Sequence, residues 1–201
     1  TPTRGTSDIF STKVDSTCFS SCYSNSSSSM GHQAPKSGDM MVGFNTYGFV
    51  CDSNSNYREY VSVELNTSLK QGSYYYAEIF VSHAENTKYA INNIGMLFSD
   101  EGIFSGICNE LQFTPQIKSN AILSESQKWT KISGTFKATT PARFLTIGNF
   151  NNDTNTSQMS MCCLPLNNTC VNALFITRST VCVFFGLYFV PAGTLISSSF
   201  V

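Results

Sequence analysis

One tyrosine-rich segment of the sequence combines aromatic rings with a carboxylate at a spacing suited to ligand recognition. Tyr76 and Glu78 lie two residues apart in the run YYYAEIFVS, which starts at Tyr74. Side chains two residues apart share one face of a β-strand, so these two would point outward together. A tyrosine ring stacks on the apolar face of a sugar, and a carboxylate accepts a hydrogen bond from a hydroxyl. The pair therefore predicts a contact with carbohydrate.

Four other residues join this pair in the candidate ligand-binding set. Tyr57, Arg58 and Tyr60 lie close together ahead of the first clear strand, and Trp129 is the single tryptophan of the chain. Aromatic and guanidinium planes offer flat surfaces to a ligand. The alternative is that these rings pack as cross-strand pairs on the outer face of a sheet. The sequence leaves both interpretations open.

Motifs for catalysis are missing from the sequence. Neither His32 nor His83 lies in a nucleophile motif such as G-x-S-x-G or in a metal motif such as H-E-x-x-H. Glycoside hydrolysis needs two carboxylates, and Glu78 with Glu85, or Asp100 with Glu101, are the candidates. Acids at strand ends are usually solvated turn residues, so we expect a protein that is not an enzyme. His83 is expected at an inward strand end, with a hydrogen-bonded ring.

The cysteines do not form a metal motif. None of them shows the paired C-x-x-C spacing, with histidines nearby, that a zinc site needs. Cys18 and Cys22 lie in a serine-rich segment, where they form either a short disulfide loop in an oxidising compartment or two exposed thiols. The eight cysteines are Cys18, Cys22, Cys51, Cys108, Cys162, Cys163, Cys170 and Cys182.

The charge and composition of the chain exclude one class of partner. The 201 residues suit a single domain, and 12 Lys and Arg against 13 Asp and Glu leave a formal net charge of -1. Nucleic-acid binding depends on clustered positive charge, so nucleic acid is not expected as a principal partner. Only 12% of the residues are charged, while serine, threonine, asparagine and aromatic residues are abundant. This composition is typical of a β-rich surface or secreted domain.

Neither end of the sequence predicts a targeting signal or a membrane span. The chain opens with TPTRG, without an initiator methionine or an apolar signal segment, so we expect a fragment or a mature form. Residues 181–196 are apolar, but Gly186, Pro191 and Gly193 interrupt them. The run is also shorter than the roughly 20 residues that a membrane helix requires.

Residues 57–99 alternate with the period of β-strands. Val61, Val63 and Leu65 share one face of a predicted half-buried strand, and a turn follows at residues 70–72. In the next strand, residues 74–82, both faces are partly apolar, which indicates a central position in a sheet. The predicted inward residues of that strand are Tyr75, Ala77, Ile79 and Val81.

Three further strands are predicted downstream, at residues 94–99, 129–136 and 143–150, and residues 103–125 form a long connection over one rim. Ile132 and Phe136 are expected to point inward with Thr130 and Gly134. No amphipathic helix of about ten or more residues is predicted anywhere. Several short strands separated by Gly, Asn and Ser turns predict an all-β fold, a two-sheet antiparallel β-sandwich.

Two blocks of the sequence resemble a known family. They are YREYVSVELNTSLKQGSYYYAEIFVSHAENTKYAINNIGMLFS, at residues 57–99, and WTKISGTFKATTPARFLTIGNF, at residues 129–150. They resemble the galactose-binding-like, carbohydrate-binding-module-like jelly-roll domain of Bacteroidetes envelope and secreted proteins, which often precedes an OmpA-type domain. Upstream, TSDIF at residues 6–10 and GDMMVG at residues 38–43 look like early segments of that family. The resemblance covers residues 1–155.

The sequence departs from the family's pattern at both ends and in one turn. The family's first strand would lie before Thr1, and Asn92 stands where the family's turn has an acid. After Asn155 the alternation stops, where the family has its closing strand. We therefore expect a galactose-binding-like jelly roll over residues 1–155, incomplete at both ends, and an atypical tail over residues 156–201.

One hypothesis explains this tail as translated out of frame. Back-translating residues 174–180 with permitted codons and shifting the frame gives IYYTID directly before Val181, which matches the expected closing strand. The same shift from Gln158 yields a more ordinary linker. The alternative is a novel tail, and in either case its exposed apolar sequence predicts poor solubility.

The resemblance implies a function at the bacterial cell envelope. It predicts a non-catalytic recognition module, extracellular or at the outer membrane, that binds a glycan or a cell-surface protein through rim loops and outward aromatic side chains. The alternatives are an architectural spacer beside a neighbouring envelope domain and, as a weaker one, a glycoside hydrolase. Related jelly rolls often hold a structural calcium ion between their first and last strands. Because both strands are missing or damaged here, we expect no bound metal and no other cofactor.

Overall fold

The computed structural model describes most of the chain. The described residues are 8–11, 22–24, 33–48, 56–85, 87–103, 110–161, 178–184, 187–189 and 196–198. Cys18 and His32 lie outside these ranges, and so does the choice between a Cys18–Cys22 disulfide and two exposed thiols. Within the ranges, the only helix is a single 3-10 turn, Asp153–Asn155.

Short strands make up the rest of the regular structure. In chain order they are β1 (Asp8–Ser11), β2 (Cys22–Ser24), β3 (Met40–Gly48), β4 (Val61–Glu64), β5 (Tyr74–His83), β6 (Tyr89–Ile91), β7 (Ile94–Ser99), β8 (Ile117–Lys118), β9 (Thr130–Lys137), β10 (Phe144–Asn149), β11 (Gln158–Ser160), β12 (Arg178–Phe184), β13 (Leu187–Phe189) and β14 (Ile196–Ser198).

Two sheets hold most of these strands. One has the order β2-β1-β3-β12-β5-β9 and the other the order β4-β10-β7-β8. Neighbours are antiparallel throughout, except that β1 and β2 are parallel. The two sheets hold ten strands, which are antiparallel apart from the β1–β2 pair, and form a β-sandwich. The predicted all-β sandwich is therefore confirmed.

The main hydrophobic core lies between these two sheets. The six-stranded sheet contributes Ile79 and Val81, and the four-stranded sheet contributes Met96 and Leu145, all fully buried. Phe98 and Phe136 stack across the layer with ring centroids 4.4 Å apart. Such an aromatic pair contributes about 0.5–1.5 kcal/mol beyond the area that it buries. Burial of apolar side chains from both sheets is what holds the sandwich together.

Strand β5 has the position and the alternation that its sequence predicts. It pairs with β12 on one side and β9 on the other, so it is an interior strand. Tyr75 and Ala77 are buried with Ile79 and Val81, while the intervening side chains are less buried. The turn before β5 closes with a hydrogen bond from the Ser73 amide to the Lys70 carbonyl. Gly72 adopts a φ of 84° there, which a residue with a Cβ rarely tolerates.

The predicted strands at residues 94–99, 129–136 and 143–150 correspond to β7, β9 and β10. In β9, Ile132 and Phe136 are buried as predicted, and the residues between them are exposed or partly exposed. The described part of the connection after β7 differs from a simple excursion over a rim. It adds the short strand β8 to the four-stranded sheet.

Strand β12 comes from the segment beyond residue 155. It lies between β3 and β5, pairing Val181 with both Phe44 and His83. The boundary after residue 155 and the reading-frame hypothesis stay predictions. Over the described ranges, no helix is long and apolar enough to cross a membrane.

Candidate functional site

The outward side chains of β5 and β9 form one continuous surface, here named the β5–β9 outer face. The register pairs Tyr76 with Thr135 and Glu78 with Ser133, so their side chains lie on the same side of the sheet. The inward side chains of both strands fill the core. The outward side chains are exposed along β9 and at Tyr74, whereas those of Tyr76, Glu78 and Phe80 are half-buried. The face consists of Tyr74, Tyr76, Glu78, Phe80, Lys131, Ser133, Thr135 and Lys137.

Tyr76, Glu78 and Lys131 are in direct contact at the centre of this face. The hydroxyl of Tyr76 donates to Oε2 of Glu78 at 2.7 Å, and Nζ of Lys131 lies 3.5 Å from the same oxygen. The side chain of Glu78 is only 14% exposed, whereas that of Lys131 is 51% exposed. Hydrogen bonding to Tyr76 and the charge of Glu78 raise the pKa of Lys131. Lys131 therefore keeps its ammonium form beside Glu78 at neutral pH.

Two further lysines sit over aromatic rings at the two ends of the face. Nζ of Lys137 lies 5.9 Å from the ring centroid of Tyr74, and Nζ of Lys36 lies 4.9 Å from that of Phe80. Both distances are within cation–π range. Tyr74 is 57% exposed, which makes it the most exposed large hydrophobic side chain among those described. Each end of the outer face therefore carries an aromatic ring with a lysine ammonium over it.

Trp129 lies at the edge of this surface rather than on it. It immediately precedes β9, and its ring packs against the small cluster of Phe10, Met41 and Ala84. Its indole Nε1 donates to the carbonyl of Ala34 at 3.0 Å. The ring therefore anchors the segment before β3 against the sheet, and ligand contact by its remaining exposed edge stays a prediction.

Tyr57 and Arg58 are buried, which corrects the expectation that they lie on an exposed aromatic surface. Tyr57 is 4% exposed and donates to Oε1 of Glu59 at 2.6 Å. Oε2 of Glu59 accepts from the amide of Asn45 at 2.7 Å, so this carboxylate ties the segment to β3. Arg58 is 1% exposed and pairs with Asp153 at 2.5 Å. The ion pair with Asp153 and hydrogen bonds to the carbonyls of Tyr57 and Asn151 offset the cost of burying this guanidinium.

Tyr60 is also buried, although its side chain has the outward parity that the sequence predicts. It belongs to a cluster on the far side of the four-stranded sheet with Leu97, Leu111 and Phe150. Leu111 belongs to the long connection, so that connection covers Tyr60 and leaves it 2% exposed. The structure therefore brings Tyr76 and Glu78 together and places Tyr57, Arg58 and Tyr60 elsewhere, away from solvent.

His83 ends β5 with a buried, hydrogen-bonded ring, as predicted. Its Nε2 lies 3.0 Å from the carbonyl of Tyr89 and 3.1 Å from the hydroxyl of Thr87. A carbonyl oxygen can only accept, so the Tyr89 contact assigns the proton to Nε2, and the Thr87 hydroxyl donates to the carbonyl of Ala84. Nδ1 is buried without a partner among the described residues. Burial lowers the pKa of His83.

The remaining acids do not assemble into a second site. Glu85 lies beyond the end of β5 and accepts from Nε2 of Gln127 at 2.6 Å. Asp100 and Glu101 are exposed in the bend after β7. Over the described part of the chain, no group of three or more His, Cys, Asp or Glu side chains is arranged to hold a metal ion.

Sequence reasoning missed the lysines of the outer face. Lys131 and Lys137 lie more than fifty residues after Tyr76 in the chain and reach it only through the β5–β9 register. Lys36 reaches Phe80 from a bend ahead of β3. The alternation in residues 130–137 did contain a usable signal, because its polar positions carry both lysines. The sequence did not show that β9 is the strand that pairs with β5.

Comparison with known proteins gives a distant structural likeness. No protein-family model matches the chain, and no curated protein matches it in sequence. Among solved structures, the chain is similar to the CBM22-1 and GH10 modules of the N-terminal endo-1,4-β-D-xylanase 10B of Clostridium thermocellum, complexed with xylohexaose. The TM-score is 0.41 and the sequence identity is 10%. The likeness covers 96% of this chain and 26% of that chain, so the chain spans about a quarter of the xylanase structure.

Proposed function

We propose that this protein is a non-catalytic carbohydrate-binding module whose ligand lies across the β5–β9 outer face. The observation that carries the proposal is the contact group of Tyr76, Glu78 and Lys131, set between the exposed ring of Tyr74 and the half-buried ring of Phe80. Rings stack on the apolar faces of sugars, while a carboxylate and an ammonium exchange hydrogen bonds with hydroxyl groups. The face supplies both kinds of group within one short stretch of sheet.

The geometry of Glu78 favours ligand recognition over a purely structural role. Within the described structure, both Tyr76 and Lys131 contact its Oε2, which leaves Oε1 to accept a hydrogen bond from a ligand. The Tyr76 hydrogen bond also fixes the carboxylate in one orientation before any ligand arrives. Preorganisation of this kind lowers the entropic cost of binding.

The positions of the acids favour binding over hydrolysis. Glycosidases place two carboxylates about 5–9.5 Å apart across the scissile bond. Five residues of extended strand separate Glu78 from His83, about 17 Å, and Glu85 lies beyond that and is bonded to Gln127. Glu78 itself is bonded to Tyr76 and has a lysine beside it. The surroundings of Glu78 and of Glu85 suit a fixed hydrogen-bond acceptor better than the general acid of a glycosidase.

We also propose that the protein works outside the cytoplasm, extracellularly or at a bacterial cell envelope. The support is the low content of charged residues, 12% of the chain, together with abundant small polar residues. A glycan or a glycan-bearing surface protein is the partner of this proposal. An architectural spacer beside a neighbouring envelope domain is the competing function.

Affinity gel electrophoresis with a panel of soluble polysaccharides tests the proposal. The full chain should be retarded by at least one polysaccharide, and Tyr76→Ala should weaken that binding by about fivefold, since an aromatic stacking contact contributes on the order of 1 kcal/mol. Far-UV circular dichroism checks that the variant is folded.

Phe113 offers a matched control, because it is an aromatic residue with 48% exposure outside the β5–β9 outer face. Phe113→Ala should bind as tightly as the unmodified protein. Unchanged migration of the unmodified chain on every polysaccharide would favour the spacer. Equal loss of affinity in the Tyr76 and Phe113 variants would show that the ligand does not bind to the β5–β9 outer face.

A further inference from the structure

The β5–β9 outer face carries an excess of positive charge. Lys131 and Lys137 are exposed on β9, and Lys36 lies over the same face. Glu78 is the single carboxylate among the outward positions of β5 and β9. Three ammonium groups therefore face one carboxylate, in a chain whose formal net charge is -1. The positive charge belongs to this face and not to the protein as a whole.

The lysines are spread along the strands rather than gathered at one point. Lys137 pairs with Tyr74 in the register, and Lys131 pairs with Phe80 six residues further along β5. Six residues of strand correspond to about 20 Å. The exposed ring of Tyr74, the ring of Tyr76 and the carboxylate of Glu78 lie within this length. The arrangement suits an extended chain that presents negative charge at intervals and ring faces between the charges.

We infer that the ligand of this face is an anionic polysaccharide, one that bears carboxylate or sulfate groups along an extended sugar chain. This inference rests on the proposed carbohydrate-binding function and names its substrate class. A neutral glycan would use the rings and Glu78 but would gain nothing from Lys36 and Lys137. An anionic glycan uses both, because its charges meet the ammonium groups at each end while its sugars contact the rings.

Isothermal titration with defined polysaccharides tests the inference. The probes are polygalacturonate for carboxylate, dextran sulfate for sulfate, and xylan and dextran as neutral chains. The full chain should bind at least one anionic probe more tightly than the neutral ones. Lys131→Gln and Lys137→Gln should each weaken that binding by about fivefold, the value expected for one exposed ion pair. Binding should also weaken as NaCl rises from about 0.05 to 0.5 M, since salt screens exposed charges.

Lys118 provides the matched control, because it is an exposed lysine on β8 of the opposite sheet. Lys118→Gln should leave the affinity unchanged, and a loss equal to that of the β9 variants would overturn the inference. Equal affinity for xylan and polygalacturonate, unchanged by the lysine variants, would overturn it while the proposed function stands. Binding of single-stranded poly(dT) as tight as that of the best polysaccharide would also overturn it. Failure of every polysaccharide, charged or neutral, would instead reject the proposed function.

Discussion

The hydroxyl of Tyr60 joins two segments that are far apart in the sequence. It donates to the carbonyl of Asn149 at 2.8 Å and accepts from the amide of Leu111 at 2.8 Å. Its ring packs against Phe150 with centroids 5.3 Å apart. Two buried backbone groups therefore depend on a single phenol, and an unsatisfied buried group costs about 1–3 kcal/mol.

Tyr60→Phe keeps the ring and removes only the hydroxyl, so it isolates this contribution. We expect the free energy of unfolding in urea to fall by about 1–3 kcal/mol. Tyr74→Phe, which removes a hydroxyl from an exposed ring, should change the free energy of unfolding by less than about 0.5 kcal/mol. Equal effects in the two variants would show that the Tyr60 hydroxyl is not buried as described.

Alkaline pH offers a second measurement on the same residue. Burial raises the pKa of Tyr60 above its ordinary value of 10. The folded state therefore keeps the proton where the unfolded state loses it, and stability falls only as the pH rises above about 10. Tyr60→Phe should show a smaller loss of stability between about pH 10 and 11 than the unmodified protein.

His83 predicts the opposite dependence on the acid side. Its folded pKa is lowered by burial, and protonation would place a hydrogen on Nδ1, which has no acceptor among the described residues. The unfolded state takes up the proton near pH 6.5, so the stability is fully present above that pH and is lost as the pH falls below it. Thermal unfolding between about pH 5 and 8 should show this loss, and His83→Gln should reduce it. An unchanged slope in His83→Gln would assign the loss to other groups.

At the scale of elements, Gly148 in β10 shows why the ring of Tyr60 fits against the sheet. A Cβ on Gly148 would lie 2.7 Å from Cε1 of Tyr60, closer than real side chains allow. The ring cannot swing away without losing the hydrogen bonds of its hydroxyl. Glycine is therefore required at position 148 because the Tyr60 ring lies so close to it, and not because of its backbone conformation.

Gly148→Ala should accordingly destabilise the protein by about 1–3 kcal/mol, the usual cost of overpacking a core. Urea unfolding measures the change, and Ser133→Ala on the exposed side of β9 serves as a control with little expected effect. The loss of stability in the Gly148→Ala, Tyr60→Ala double variant should be smaller than the sum of the two single losses, because the smaller side chain at position 60 removes the clash. If the two single losses of stability simply added in the double variant, the introduced methyl group would not clash with the Tyr60 ring.

The strands themselves were predictable from alternation, and their partners were not. The inward set of β5 and the turn at Gly72 follow from period and residue type alone. The burial of Tyr60 was not predictable, because it depends on Leu111 of a connection that crosses the outside of the sheet. Likewise Glu78 and Tyr76 were placed correctly, whereas Lys131 became part of the site only through strand pairing. Local alternation therefore predicts which face of a strand a side chain occupies, whereas strand pairing determines which side chains of neighbouring strands are in contact.

At the scale of the whole molecule, β12 completes the six-stranded sheet. It pairs on one side with β3 and on the other with β5, so it connects the β5–β9 half of that sheet to the β1–β3 half. Without β12, both neighbours would expose a row of unpaired backbone N–H and C=O groups. Unpaired strand edges of this kind destabilise a sandwich and promote association between chains.

A pair of truncated chains tests this role. A chain that ends at Met161 lacks β12, and a chain that ends at Phe184 keeps it. We expect the longer chain to unfold in one cooperative thermal transition, and the shorter chain to lose that transition and to elute as aggregates in size-exclusion chromatography. If the shorter chain unfolded as cooperatively as the longer one, residues 1–161 would form a complete domain and β12 would lie outside it. The comparison therefore decides whether the segment that contains β12 belongs to the fold, because loss of a paired interior strand destabilises a sheet.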